Sequence, residues 1–502
     1  MAGSVLATPG FDLQPSAQQV PTSTNYITNF DFLSQYLPDT YEKEFERYGN
    51  RTISSFLRMV GAEMPSMSDQ IKWAEQGRLH TKYTQVGTAI GGAGNAAVQF
   101  QVNDPAVPAG IVAPNATTAT NPFAANASIA IRAGQTVMIV WNNGLGSNKA
   151  IVTNGPNDAS ASLGATGATD FQVSFYDAAG QAAAGTGVGN ADCTVFIYGS
   201  EFAKGTAGMQ GSLEADDYIF ANNPIIIKDR YNVSGSDMAQ IGWIEVTTED
   251  GAAGYLWYLK SEHETRLRFD DYLETAMVEA MPANVGGAGS GAATAGFVGS
   301  EGVFYAVENR GNVWGGGNPT TLADFDAMIG RLDNQGAIEE NALFVDRNFG
   351  FDIDDMLAAQ NSYGAGGTSY GLFDNDEEMA LNLGFSGFRR GYDFYKSDWK
   401  YLNDPTMRGG LPTGANSGRI NGLLVPAGST SVYDQILGKN AKRPFLHVRY
   451  RASETEDRRY KSWITGSAGG ARTSSLDAME VHFLSERACC VMGANNFFLF
   501  QE

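Results

Sequence analysis

The spacing of apolar residues changes character several times along the chain. After Pro38, DTYEKEFERYGNRTISSFLRMVGAE sets Tyr41, Phe45 and Tyr48, then Ile53, Phe56, Leu57 and Val60, at helical intervals among balanced charges. That spacing predicts one or two amphipathic helices, broken near Gly49-Asn50. Between Thr84 and Ser200 the period shortens to that of strands. AVQFQV, ASIAIR, TVMIVW, AIVTN, FQVSFYD and CTVFIYG are each short, mostly β-branched or aromatic, and bounded by turn residues. NPIIIKDRY and IGWIEVTT continue the strand-like pattern. From about Tyr255 to Met281 a helical period returns, with Leu256, Leu259, Leu267, Leu273, Met277 and Met281 near one side. A helix of that length spans ~40 Å, more than the usual helix of a small domain.

The Gly/Ala stretch ANVGGAGSGAATAGFVGSEG then predicts a loop. TTLADFDAMIGRLDNQG carries Leu322, Phe325, Ile329 and Leu332 at helical spacing, with Thr321 and Asp324 placed for a capping box. ALFVDR reads as a strand and DIDDMLAAQN as a short helix. The last third holds GLLVPAG, PFLHVRYR, AMEVHFLSERACCVMG and NNFFLFQE, all strand-like, with a helix near Ser431 to Leu437. The chain is expected to end buried, on Phe497, Phe498, Leu499 and Phe500. The sum is an α+β protein.

At 502 residues the chain is long enough for roughly three domains. Lys and Arg number 34 against 55 Asp and Glu, a net charge of −21, which argues against a broadly basic nucleic-acid face and against docking on anionic lipid. Residues 1–37 carry only Asp12 and Asp31 as charges, with Pro9, Pro15 and Pro21 and no helical period, so they read as an extended arm. Thr84 to Ser200 holds seven charged residues in 117, against 18% for the whole chain. This predicts a small β-sandwich or barrel module with a neutral surface of amides and hydroxyls. The first thirty residues do not have the pattern of a secretory signal, and no apolar run approaches the ~18 residues of a membrane span. Cys193, Cys489 and Cys490 cannot make a stapling framework, which fits a reducing site of synthesis.

Candidate chemistry is sparse. EHETRLRF sets His263 beside Glu264, as a zinc hydrolase helix does, but the second histidine needed one turn on is Leu267. The other histidines are His80, His447 and His482. A helix surface accounts for His263, Glu264 and Arg268, the last two spaced for ordinary ion-pair support. DNDEEM at 374–379 fails as a calcium loop, because Met379 sits where glycine is required and Phe385 where the bidentate glutamate is required. Asp352, Asp354 and Asp355 are expected to open a helix and complement its dipole. No GK[ST] loop is present, GFSG at 384–387 lacks the spacing of a nucleophile elbow, and Cys489 and Cys490 read as buried small hydrophobes. FSGFRRGYDFYKSDWKYL interleaves Phe388, Tyr392, Tyr395 and Trp399 with Arg389, Arg390, Lys396 and Lys400, a mixture that can stack bases and neutralise phosphates. The net charge favours the other reading, a packed aromatic segment whose basic groups meet acids of a neighbouring subunit. No constellation supports catalysis: the expectation is no enzyme, no catalytic, cofactor-binding or metal residue, and no cofactor.

Two stretches, DFLSQYLPDTYEKEFERYGNRTISSFLRMVGAEMPSMSDQIKWAEQGRLHTKY and SERACCVMGANNFFLF, resemble the major capsid proteins of tailed bacteriophages, most closely those of crAss-like phages. The order of elements is similar to the Hong Kong 97-type capsid fold along most of the chain. The resemblance implies an N-terminal arm at 1–37 and, at 38–83, a helical entry and the start of an extended loop that includes Trp73 to Gly77. It implies an inserted all-β domain at 84–210. The loop's return and a peripheral domain would follow at 211–310, with a spine helix at 255–281. An axial domain at 311–430 and a return to the peripheral domain at 431–502 complete it.

The same resemblance implies pentamers and hexamers of this chain forming an icosahedral head around double-stranded DNA, a virion component assembled in the host bacterial cytoplasm. Its partners would be other copies of itself and portal, scaffolding and decoration proteins, with DNA met only by non-specific proximity and no membrane. An arm of 37 residues is too short for the scaffolding segment the family often carries, so the resemblance implies either that scaffolding comes from a separate protein or that the chain is already processed. No lysine–asparagine cross-link is predicted. The alternatives are an encapsulin-like bacterial shell and a β-rich surface or glycan-binding protein.

Overall fold

The computed structural model describes residues 56, 62–77, 80, 82–90, 97–102, 129–141, 146–158, 165–167, 169–178, 193–211, 217–239, 246–247, 253–254, 257–283, 291–361, 386–412, 418–434, 439–470 and 472–502. The predicted arm, the helices after Pro38 apart from Phe56, and DNDEEM lie outside these residues. The chain divides into two compact units: the described residues within Tyr231–Thr265 and Ile464–Val481 form the smaller, and the others form the larger.

In the smaller unit the Ser234 hydroxyl accepts from Asp237 N and caps the short helix Gly235–Met238. Gly235 donates its N–H to Asp477 O at 3.1 Å, and Lys260 pairs with Glu264 at 3.8 Å across one helical turn.

A six-stranded sheet centres the larger unit, in the order Asn312–Trp314, Phe498–Gln501, Ile420–Pro426, Glu340–Val345, Tyr392–Asp398, Gly387–Arg390. Alternate residues of a strand face opposite sides, and here both sides are apolar. Phe344, Leu423, Val425 and Leu499 face one core with Met277, Val303, Phe304, Val307 and Trp399. Leu343, Val345, Leu424, Phe498 and Phe500 face a second core, covered by Phe325, Met328 and Leu332 of helix Leu322–Gln335 and by Phe349, Ile353 and Met356 of helix Arg347–Asn361. The predicted capping box is present, with Thr321 and Asp324 each bonding the other's backbone. NNFFLFQE supplies the strand Phe498–Gln501, which lies in this sheet between Asn312–Trp314 and Ile420–Pro426. An all-apolar FFLF run fits a strand covered on both faces.

A second sheet of five strands is built from Ala62–Ser66, Leu446–Arg451, Ala478–Val491 and Ile225–Ser234, with Lys461–Gly466 added on Ala478–Val491. The long helix occupies Trp257–Glu279. Its buried stripe runs through Thr265, Phe269, Leu273 and Met277 at four-residue spacing; Leu267 is only half-buried and Met281 is 56% exposed. The predicted leucine face is therefore rotated, because Phe269 stacks on Phe483 at 5.7 Å and pulls that side inward.

Between Lys82 and Ser200 six strands close into a barrel in the order Lys82–Ile90, Val98–Val102, Asp170–Phe175, Ser147–Asn154, Gln135–Trp141, Cys193–Ser200. Tyr83, Val86, Phe100, Val137, Ile139, Val152, Phe171, Val173 and Val195 fill it. Of the predicted strands, ASIAIR departs: its described residues Ile129–Arg132 are not a strand. Their backbone N–H groups go to side chains, Ala130 N to Tyr83 Oη and Arg132 N to Gln135 Oε1, while Ile129 and Ile131 plug the barrel. The helix predicted near Ser431 to Leu437 is not found among the described residues of that stretch. Ser429–Asp434 is a strand paired with Lys439–Pro444, consistent with its β-branched and aromatic run Thr430, Val432, Tyr433.

Candidate functional site

Residues Ile71–Gln76 and Asp217–Asn222 form a two-stranded antiparallel ribbon outside both sheets, in register from Ile71↔Asn222 to Gln76↔Asp217. One face carries the cross-strand pair Trp73 and Phe220, ring centroids 6.1 Å apart. The other carries Lys72, Ala74, Ile219 and Ala221, all exposed, Ile219 at 52%.

The ribbon's root is a dense polar knot. Arg310, the last residue of helix Val303–Arg310, places its guanidinium 4.4 Å from the Phe220 ring and 5.7 Å from the Trp73 ring. It pairs with Glu301 at 2.9 Å and Glu75 at 3.8 Å. Glu75 Oε1 also accepts from Trp73 Nε1 and from Gly493 N, both at 2.9 Å. Asn222, 3% exposed, donates to Glu301 O at 2.9 Å and Cys489 O at 2.6 Å, and its Oδ1 accepts from Glu301 N, Ser300 Oγ and Asn223 N. Burial pushes the Glu301 carboxyl above its ordinary value, with Arg310 opposing. Ile71 packs on Ala488 and Cys490, and burial holds the neighbouring Cys489 thiol well above the usual range.

Other exposed apolar groups gather just past the long helix. Met281, Phe297 and Val298 are 56%, 69% and 58% exposed, and Ala283 N donates to Val298 O at 2.9 Å, which joins the two segments. On the barrel, Tyr198 sits at a register shift that turns it outward, under the Lys149 ammonium at 5.5 Å, and Tyr176 donates to Glu201 at 2.5 Å.

The aromatic and basic stretch is packed, and its acids belong to this chain. Phe388, Tyr392 and Trp399 are buried; Tyr395 is exposed. Arg389 pairs with Asp393 at 3.2 Å, Arg390 with Asp326, and Lys396 with Asp354. Within the chain these three cations thus meet a carboxylate of the adjacent strand and one from each of the helices Leu322–Gln335 and Arg347–Asn361. Asp352, Asp354 and Asp355 do not open their helix, which starts at Arg347. The carboxylate at its start is Asp346, which accepts from Phe349 N at 2.7 Å and from Arg419 at 3.1 Å. Asp352 instead accepts from Asn318. Ser386 and Gly387 of GFSG lead into an edge strand, with Ser386 O accepting from Lys396 N.

The histidines sit in separate settings: His80 is exposed, His263 half-buried on the long helix, His447 buried with Nδ1 3.2 Å from Pro444 O, and His482 stacked on Trp463. Among the described residues no three His, Cys, Asp or Glu side chains gather to hold a metal ion, and no helix is long and apolar enough to cross a membrane. Of the root side chains, Trp73 and Glu75 lie in the stretch that the resemblance gives to the extended loop, and Ser300 and Glu301 lie in the Gly/Ala stretch expected to be a loop. Arg310 and Asn222 carry no local signal, because the root is made by residues up to 418 positions apart.

No family model and no curated protein sequence matches the chain. Among solved structures, the chain is similar to the capsid of cyanophage P-SCSP1u, 9% identical over 61% of this chain and 80% of that one, with a TM-score of 0.33. It is similar to the capsid asymmetric unit of cyanophage Pam1, 11% identical over 61% and 82%, TM-score 0.35. A third is the holo encapsulin complex from Synechococcus elongatus, 10% identical over 58% and 77%, TM-score 0.30.

Proposed function

We propose that the chain is a shell-forming structural protein, the major capsid protein of a tailed phage of the crAss-like group. The observation that carries this reading is the ribbon. A two-stranded ribbon is at best marginal alone in water, and one that leaves Ala74, Ile219 and Ala221 exposed gains stability from a neighbour that covers them. The resemblance of residues 31–83 and 485–500 to phage capsid proteins supports the same conclusion. In this reading the ribbon begins the extended loop, the barrel is its insertion, Trp257–Glu279 is the spine helix, and the six-stranded sheet belongs to the axial domain. Copies close into pentamers and hexamers through repeated interfaces, with portal, scaffolding and decoration proteins as further partners.

The net charge of −21 suits a wall that encloses DNA without adsorbing it, since an acidic inner face repels phosphate over a Debye length of ~10 Å at 0.1 M salt. Sedimentation of the chain expressed with and without a scaffolding partner tests the proposal. Fast-sedimenting closed particles are expected. A monomer that persists at every concentration and with every partner contradicts it, and shells filled with a protein cargo instead of DNA would favour the encapsulin-like alternative.

A further inference from the structure

We propose that the ribbon root is a latch: Arg310 locks the ribbon Ile71–Gln76 and Asp217–Asn222 against the body of the larger unit, and its removal frees the ribbon while barrel and body stay folded. The barrel and the body fill their own cores, and among the described residues no ribbon residue belongs to any of these three clusters. The ribbon's apolar hold is small, Ile71 on Ala488 and Cys490 with Trp73 alongside. Its polar hold is concentrated in three side chains, Glu75, Asn222 and Arg310, which reach Gly493 N, Cys489 O, Ser300 and Glu301.

A contact of this make-up behaves unlike a core. Apolar packing weakens in proportion to the area lost, whereas a buried polar network loses most of its value once one charged member goes and its partners are left unpaired. Arg310 is the member whose loss does most. It answers two carboxylates, covers the Phe220 ring, and sits at a helix C-terminus, where the dipole favours a cation. The direction in which the ribbon leaves the body, and so where its Ile219 face points, is set by this residue. Its importance for assembly rests on the function proposed above; the latch itself does not.

Hydrogen exchange on the unassembled full-length chain tests it, so a chain that forms no shells still gives an answer. In Arg310→Ala the amides of Lys72–Gln76 and Tyr218–Asn222 are expected to exchange ~100-fold faster, the scale of breaking a buried ion pair, while Glu340–Val345 and Ile420–Pro426 keep their rates. Arg310→Lys, which keeps the charge but loses the fork and the stacking, should fall between. Ribbon and sheet amides accelerating together in both variants would make Arg310 a general stabiliser and overturn the proposal. Unchanged ribbon amides would overturn it equally.

Discussion

Arg408→Met strips the cation from a carboxylate held at an unfavourable place. Glu279 ends the long helix, where the partial negative charge of the dipole opposes it. Arg408 compensates with a two-pronged contact, Nε to Oε1 at 2.5 Å and Nη2 to Oε2 at 2.6 Å, while its Nη1 donates to Gly418 O and its guanidinium lies 5.2 Å from the Phe304 ring. Tyr401 adds a hydroxyl donor at 2.6 Å, and burial together with Glu279 pushes its phenol far up. Orphaning one member of a fully buried pair costs about 3–5 kcal/mol, but water reaches the Glu279 side chain, 31% exposed, so ~2 kcal/mol is the expected loss. In a unit this large that lowers Tm by roughly 3 °C. Adding Glu279→Gln to Arg408→Met removes the orphan charge and should return about half of it. Differential scanning fluorimetry of the two singles and the double reads the cycle. A double variant no more stable than Arg408→Met, or a single variant that melts with the parent, would show that the orphan charge is not what the arginine prevents.

Gly466→Ala should be costlier than Gly470→Ala. Both sit at positive φ, but a Cβ at 466 would stand 1.9 Å from Ala478 O while 470 faces open space, so urea midpoints should separate the two variants. Cys193, Cys489 and Cys490 are buried, so a thiol reagent should label none of them in the native protein and all three after denaturation. Because burial raises the Glu301 carboxyl, the latched form binds a proton more tightly than an exposed glutamate does. Ribbon protection should therefore rise as pH falls from neutral through that raised value toward the ordinary glutamate range, and weaken as pH climbs back. Hydrogen exchange corrected for intrinsic rates reads this, and Glu301→Gln should flatten the profile.

Elements whose signal is local were legible in the sequence. The capping box at Thr321 and Asp324, the long helix, and the strands around Val98, Val137, Phe171 and Val195 follow from spacing and β-branched content alone. Where a residue's partner lies far along the chain, the reading went astray or was silent. Ile129 and Ile131 look like strand residues but fill a barrel as a plug, because Tyr83 and Gln135 take their neighbours' N–H groups. Asp352 looks like a helix-opening acid, yet Asp346 holds that place, one residue beyond the apolar strand Glu340–Val345. The cations Arg390 and Lys396 gave no hint that Asp326 and Asp354 would meet them from two helices. The root of the ribbon was invisible for the same reason: Arg310 is one basic residue at the end of an eight-residue helix until Trp73, Glu75 and Phe220 are folded against it.

Electron cryomicroscopy of particles formed by the chain, expressed alone and with candidate scaffolding proteins, tests the central claim most directly. The account predicts a closed shell of five- and six-membered rings in which the ribbon face bearing Ala74, Ile219 and Ala221 is covered by an adjacent copy. A shell with that face left in solvent, or a preparation that yields only single chains, would contradict it.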